Sequence, residues 1–114
     1  MLSISEKDKS LIYSILDCIG KIRCYSKDSG SGANLYSNNQ AFDATVMNFI
    51  VIGEMVSKLS EDFLMNHTQI DWINIIGFRN IIAHDYFGID ADELWEIIQT
   101  DLKELEDFLK VISI

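Results

Sequence analysis

No proline occurs anywhere in the 114 residues. Proline is the strongest breaker of helices, because its ring fixes φ and removes a backbone donor. A chain without it can run long helices, and the apolar residues here recur at helical spacing. Ile12, Ile15, Leu16, Ile19 and Ile22 form one stripe of a first helix that ends near Ser26. Its start is marked by Ser3 with Glu6 three residues on, a capping-box pattern. Residues 26–39, SKDSGSGANLYSNN, are rich in Ser, Gly and Asn and read as a long exposed connection, suited to motion or to partner contact. A second helix is predicted from about Gln40 to Leu64. Phe42, Val46, Phe49, Gly53, Val56 and Phe63 track one face of it, and Ile50, Ile52 and Leu59 widen that face. A glycine at 53 costs this helix about 1 kcal/mol relative to alanine. Close approach of another helix is the expected compensation.

A third helix is predicted from Asp71 to His84, with Gly88 breaking the chain after it. A fourth begins at Asp90, capped with Glu93, and carries Leu94, Ile97, Ile98, Leu102, Leu105, Phe108 and Ile112 as its stripe. No period-two run of β-branched residues competes. Short connections between the last three helices favour antiparallel neighbours. The sequence therefore predicts an all-α, antiparallel up-and-down four-helix bundle, a single domain over residues 1–114.

Charge narrows the function. The net charge is −9, and residues 85–107 alone hold nine acids against one base, Lys103. The acids of the fourth helix read as a solvated face. Such a balance opposes sequence-independent binding of long duplex nucleic acid but leaves room for one focused phosphate site. Residues 1–27 are mildly basic, at +2; Lys21, Arg23 and Lys27 read first as solvated charges and second as an extension of an RNA path. Cys18 and Cys24, six apart on one helix, suit neither a disulfide nor a metal site and are expected as buried or half-buried free thiols. The start, MLSISEKDKS, has early charges and no apolar leader, and no apolar run fits a membrane span. A soluble, cytoplasmic protein without membrane contact is expected.

Against this background GFRNIIAHDYFGID, residues 77–90, stands out. It places Arg79, Asn80, His84 and Tyr86 within eight positions. Asn80 and His84 share a helix face, about 6 Å apart along the axis. Arg79 and His84 diverge by about 140° in a straight helix. They converge only if the helix ends between them or if two copies of the chain meet. Chemically the set suits phosphodiester cleavage. A histidine can take the proton of a ribose 2′-hydroxyl, and an arginine can hold a phosphate whose charge grows in the transition state. Asn80 can orient either group or bind the phosphate itself. No acids at metal-ligand spacing accompany them, so no metal or other cofactor is expected. A helix-end His as a cap and a lone surface Arg are the ordinary alternative.

The stretch RNIIAHDY resembles the Arg-x4-His-x-Tyr signature of the HepT-like branch of the HEPN superfamily, and NFIVIGEMVSKLSEDF (48–63) and residues 70–109 resemble that family's later helices. The resemblance implies a dimerising four-helix bundle that acts as the toxin of a type VII-like toxin–antitoxin system. The implied activity is metal-independent endoribonuclease action on RNA at a cleft lined by two protomers. It assigns Arg79 to phosphate binding, His84 to catalysis and Asn80 to support. Tyr86 matches the tyrosine to which a partner minimal nucleotidyltransferase, the antitoxin, adds AMP. A homodimer, or a larger hetero-oligomer with that antitoxin, is the implied assembly. Glu54 lies in the second-helix motif and is expected to fix Arg79 through an ion pair. Asp85, between His84 and Tyr86, can repel RNA or act on the histidine. Two other classes stay open: a non-catalytic nucleotide- or substrate-binding subunit of a nucleotidyltransferase, and a purely structural bundle.

Overall fold

The stripe Ile12, Ile15, Ile19 and Ile22 is withdrawn almost completely from solvent, and what covers it defines the architecture. The computed structural model describes residues 4–113. Seven α-helices follow in order: α1 (Glu6–Ser26), α2 (Gly32–Ser37), α3 (Asn39–Lys58), α4 (Glu61–Asn66), α5 (Trp72–His84), α6 (Ala91–Gln99) and α7 (Asp101–Ile112). A 3-10 turn, Tyr86–Gly88, joins α5 to α6, and no strand occurs among the described residues. The protein is an all-helical single domain with one core. Its centre is α3, which packs on α1, α2 and α5, while α6 lies on α2 and α7 on α1.

The apolar stripes read from the sequence are the core. Phe42, Val46, Phe49, Ile52 and Val56 of α3 meet the α1 isoleucines, and Leu94, Ile98, Leu102, Leu105 and Leu109 close the far side. Together these buried side chains supply the main driving force for folding, at about 1.5–3 kcal/mol for each fully buried large aliphatic before the entropy of ordering is set against it.

Four expectations about element boundaries need correction. Ser3 of the expected capping box lies outside the described residues; the α1 cap is Ser5, whose Oγ accepts from the Asp8 amide at 3.1 Å. The 26–39 connection is not all loop, because α2 forms within it. Ser31 caps that helix, and the completely buried Leu35 ties it to the core. Six residues with a single buried anchor leave too short a period to read. The second predicted helix stops at Lys58 and restarts as α4, since Ser60 leaves the helical path and caps Phe63 at 3.1 Å. The fourth predicted helix is kinked at Thr100, whose hydroxyl donates to the Glu96 carbonyl at 2.8 Å beside the residue's own amide at 2.9 Å. Hydrogen bonding continues across that kink, from Thr100 to Glu96 and from Glu104 to Thr100.

The α3–α4 break has a partner on α1. Asp8 is only 2% exposed, and its carboxylate accepts from the Ser60 amide at 2.9 Å and the Ser60 hydroxyl at 2.6 Å. Burial pushes this carboxyl up. The bonds from Ser60 and Ser5 outweigh that and hold it below its ordinary value. Two thiols are free, Cys18 buried as expected and Cys24 exposed, contrary to expectation. No described helix is long and apolar enough to cross a membrane.

Replacing Asp8 by alanine strips Ser60 of its acceptor and is expected to cost about 1–3 kcal/mol at pH 7 in urea unfolding. Because the folded carboxyl titrates below the unfolded one, the wild-type advantage is full above about pH 4 and fades as pH falls through the folded value. The two proteins should converge in acid.

Candidate functional site

The motif helix α5 starts where Asp71 caps it, accepting from the Asn74 amide at 3.0 Å. Trp72 anchors that end: its ring is buried and its indole N–H donates to the His67 carbonyl at 2.8 Å. His67 itself stacks near Phe63 and is held by the Phe63 carbonyl at 2.8 Å, which makes it structural. From Trp72 the helix runs back along α3. Phe78 meets Phe49 edge-on with ring centroids 5.5 Å apart, Arg79 lies on Gly53, and Tyr86 reaches Phe42 and Asp43.

Gly53 is where the two helices come closest. A side chain there would overlap Cβ and Cγ of Arg79, so the arginine stem occupies the space that the glycine leaves open. This is the close approach that the interior glycine called for. The guanidinium then pairs with the Glu54 carboxylate, and one of its N–H groups donates to Asn80 Oδ1 at 2.6 Å. Arg79 Nε is buried without a partner. The side chain is 31% exposed, so part of it still faces solvent. Glu54 and Asn80 thus fix a guanidinium that would otherwise sample many rotamers.

His84 closes the last turn of α5 and is exposed. Because α5 is unbroken from Trp72 to His84, the helix does not end between Arg79 and His84. Within one chain their Cα–Cβ vectors point about 140° apart. The outer face of α5 shared by Asn80 and His84 also carries Ile73 and Ile81, 84% and 63% exposed.

The turn after α5 is built by Asp85. Its amide donates to the Ile81 carbonyl at 2.9 Å to close the helix, and its carboxylate folds over Gly88, where any side chain would collide with it. The acid therefore serves the turn. Tyr86, on that turn, donates its hydroxyl to Asp43 and sets its ring against Phe42 at 6.3 Å. The hydrogen bond to Asp43, with some burial and the charge of Asp43, pushes the phenol above its usual range. Phe87 beside it is 96% exposed.

Sequence reasoning missed Asp43. The readable signal was its place eleven residues before Glu54, which puts both acids on one face of α3. Two of the three basic residues near the end of α1 are engaged within the chain: Arg23 donates to the Ile98 carbonyl at 2.9 Å and pairs with Glu106 at 3.2 Å, and Lys21 pairs with Asp17. Glu106 is accordingly not part of a purely solvated acidic face. Between α5 and α6–α7 lies an open groove of about 630 Å³, floored by Phe49, Phe78 and Leu102 and edged by Glu93, Asp101 and Glu104. Its acidic edge disfavours a phosphate backbone. No three His, Cys, Asp or Glu side chains converge as metal ligands among the described residues.

A small helical domain with an Arg-x4-His-x-Tyr motif at the end of one inner helix is a domain of the HEPN class. The family model described as "Ribonuclease HepT-like" matches residues 15–112, and the chain belongs to that family. Among its relatives, "Putative RNase MJ1380" of Methanocaldococcus jannaschii is 29% identical over 111 residues, covering 96% of this chain and 100% of the relative. "Putative RNase MJ0127" of the same organism is 30% identical over 109 residues, or 92% and 89% of the two chains. "Probable ribonuclease HepT" of Thermococcus cleftensis is 32% identical over 56 residues, about half of each chain. No solved structure matches the chain.

Gly53→Ala forces a methyl group into the Arg79 stem. Overpacking costs about 1–3 kcal/mol, which exceeds the ~1 kcal/mol alanine gains in helix propensity. The expected result is a lower urea midpoint, with α5 displaced and Arg79 parted from Glu54.

Proposed function

We propose that this protein is the toxin of a type VII-like toxin–antitoxin pair. In this reading it is a metal-independent endoribonuclease, active as a homodimer and silenced when a partner nucleotidyltransferase adds AMP to Tyr86. The observation that carries it is the guanidinium of Arg79 fixed between Glu54 and Asn80, with an exposed His84 five residues along the same helix. Membership of a family described as ribonucleases supports the same reaction class.

The divergence of Arg79 and His84 within one chain supports a cleft shared by two copies. A two-fold axis beside the C-terminal end of α5 would bring the arginine and histidine of both copies to one cleft. The exposed Ile73 and Ile81 on the His84 face are the apolar surface such a pairing would bury. In that cleft a neutral His84 accepts the proton of the ribose 2′-hydroxyl as its oxygen attacks the adjacent phosphorus. Arg79 offsets the charge that builds on the phosphoryl oxygens. The bond from phosphorus to the 5′-oxygen breaks, and that oxygen takes up a proton from water as it leaves, giving a 2′,3′-cyclic phosphate and a free 5′-hydroxyl. AMP on Tyr86 adds bulk and negative charge next to His84, where the RNA phosphate would sit.

Purified protein in EDTA is expected to cleave RNA, and His84→Ala or Arg79→Ala to lower the rate by about 100-fold or more without loss of helical content. Full activity of His84→Ala would remove the mechanism. No cleavage by the wild type, with tight nucleotide binding, would favour the non-catalytic subunit instead. Ile81→Glu tests the pairing separately: it should elute as a monomer in size-exclusion chromatography and lose cleavage while staying folded.

A further inference from the structure

Of the four tyrosines in the chain, Tyr86 has a hydroxyl tied to a carboxylate. The donor is on the 3-10 turn and the acceptor, Asp43, is on α3, so the contact joins two elements 43 residues apart in sequence. The ring is seated as well: it meets Phe42 edge-on at 6.3 Å and Phe87 edge-on at 5.2 Å. Phe42 is buried in the core and does not move with the turn. Both Tyr86 and Asp43 nonetheless reach solvent, so an incoming group can approach the phenolic oxygen while the carboxylate stays on it.

We propose that Asp43 is the general base for nucleotidylation of Tyr86, taking the phenolic proton as the tyrosine oxygen attacks the α-phosphorus of a nucleoside triphosphate. This rests on the reading of Tyr86 as the modified residue. In the step, a bond forms between the Tyr86 oxygen and the α-phosphorus. The bond from that phosphorus to the oxygen bridging the β-phosphate breaks, and pyrophosphate departs with the electron pair. The proton passes to Asp43 and then to water. The partner enzyme brings the triphosphate; this chain supplies the nucleophile and the base.

The electrostatics favour a concerted route. A phenol ionises near pH 10 in water, and here the bond to Asp43, with some burial and the charge of Asp43, pushes it higher. A free phenolate beside an ionised carboxylate would put two like charges in contact. Moving the proton to Asp43 while the oxygen–phosphorus bond forms avoids that state. Once Asp43 has lost the proton to water, its negative charge repels the new phosphodiester.

A holding role predicts the reverse. If Asp43 only restrained the hydroxyl, its removal would free the nucleophile and speed modification. The experiment follows AMP addition by the partner nucleotidyltransferase with ATP and magnesium, using intact mass and peptide mapping on the wild type, Asp43→Asn, Asp43→Glu and Tyr86→Phe. For Asp43→Asn the expected result is a kcat lower by about 100-fold to 10,000-fold with KM little changed. Asp43→Glu, which keeps a carboxylate, should recover part of that loss. Circular dichroism confirms that each variant is folded. An Asp43→Asn protein modified at Tyr86 as fast as the wild type, or faster, overturns the inference and leaves the modification reading intact. A wild type that gains no AMP at Tyr86 overturns both.

Discussion

The contact between Gly53 of α3 and the stem of Arg79 on α5 is the constraint on which the site depends. Two helices can approach this closely only where one of them gives up its side chain. What fills the space is the first part of a long cationic residue rather than an aliphatic one. The arginine is thereby anchored at Cβ and Cγ by packing and at its head by Glu54 and Asn80. Little rotamer entropy remains in this side chain, which removes the usual penalty for ordering a flexible cation.

The same contact sets the register of everything that follows it. With Arg79 placed on Gly53, the end of α5 and the DYFG turn fall opposite the first turns of α3, where Phe42 and Asp43 receive Tyr86. Asp43 and Glu54 lie eleven residues apart, close to three full turns, on one face of α3. Each acid holds one functional side chain, Glu54 the arginine and Asp43 the tyrosine. His84, between them in sequence, is exposed and takes part in neither pairing. A shift of α5 by one residue along α3 would break both acid pairings at once.

The parts of this arrangement that were legible in the sequence are those with a long period or a special residue. The apolar stripes gave the buried faces of α1, α3, α6 and α7, because three or more turns repeat the same pattern. Gly53 pointed to close helix contact without naming its partner, and the Glu54–Arg79 pairing was expected from the family resemblance of the second-helix motif. The breaks at Ser60 and Thr100 were hidden because the apolar stripes run through them. Each arises from a hydroxyl that bonds outside the helical ladder: Ser60 to Asp8, a residue 52 positions away, and Thr100 to the carbonyl one turn earlier. Helix α2 depends on Leu35 alone as its core anchor, too little for any periodicity. Asp43 was missed for a similar reason, since its meaning lies in a partner 43 residues on. Arg23 was open to reading as a free cation until its bonds to Ile98 and Glu106 placed it in the structure.

A chain of net charge −9 is a poor general binder of polyanions, and the distribution of its cations sharpens the point. Lys9, Lys21, Arg23, Lys103 and Lys110 each lie within ion-pair distance of a carboxylate of the same chain, which lowers the positive potential that a polyanion would meet there. Arg79 is also paired, yet its pairing orients it, and part of its side chain stays exposed. Counterion release from so few phosphate contacts contributes little affinity. Any selectivity of the surface around α5 would rest on shape and stacking, with Phe87 presenting nearly its whole ring to solvent. An acidic exterior around one oriented cation confines phosphate contact to the neighbourhood of α5, because long-range repulsion opposes the approach of a polyanion elsewhere on the surface.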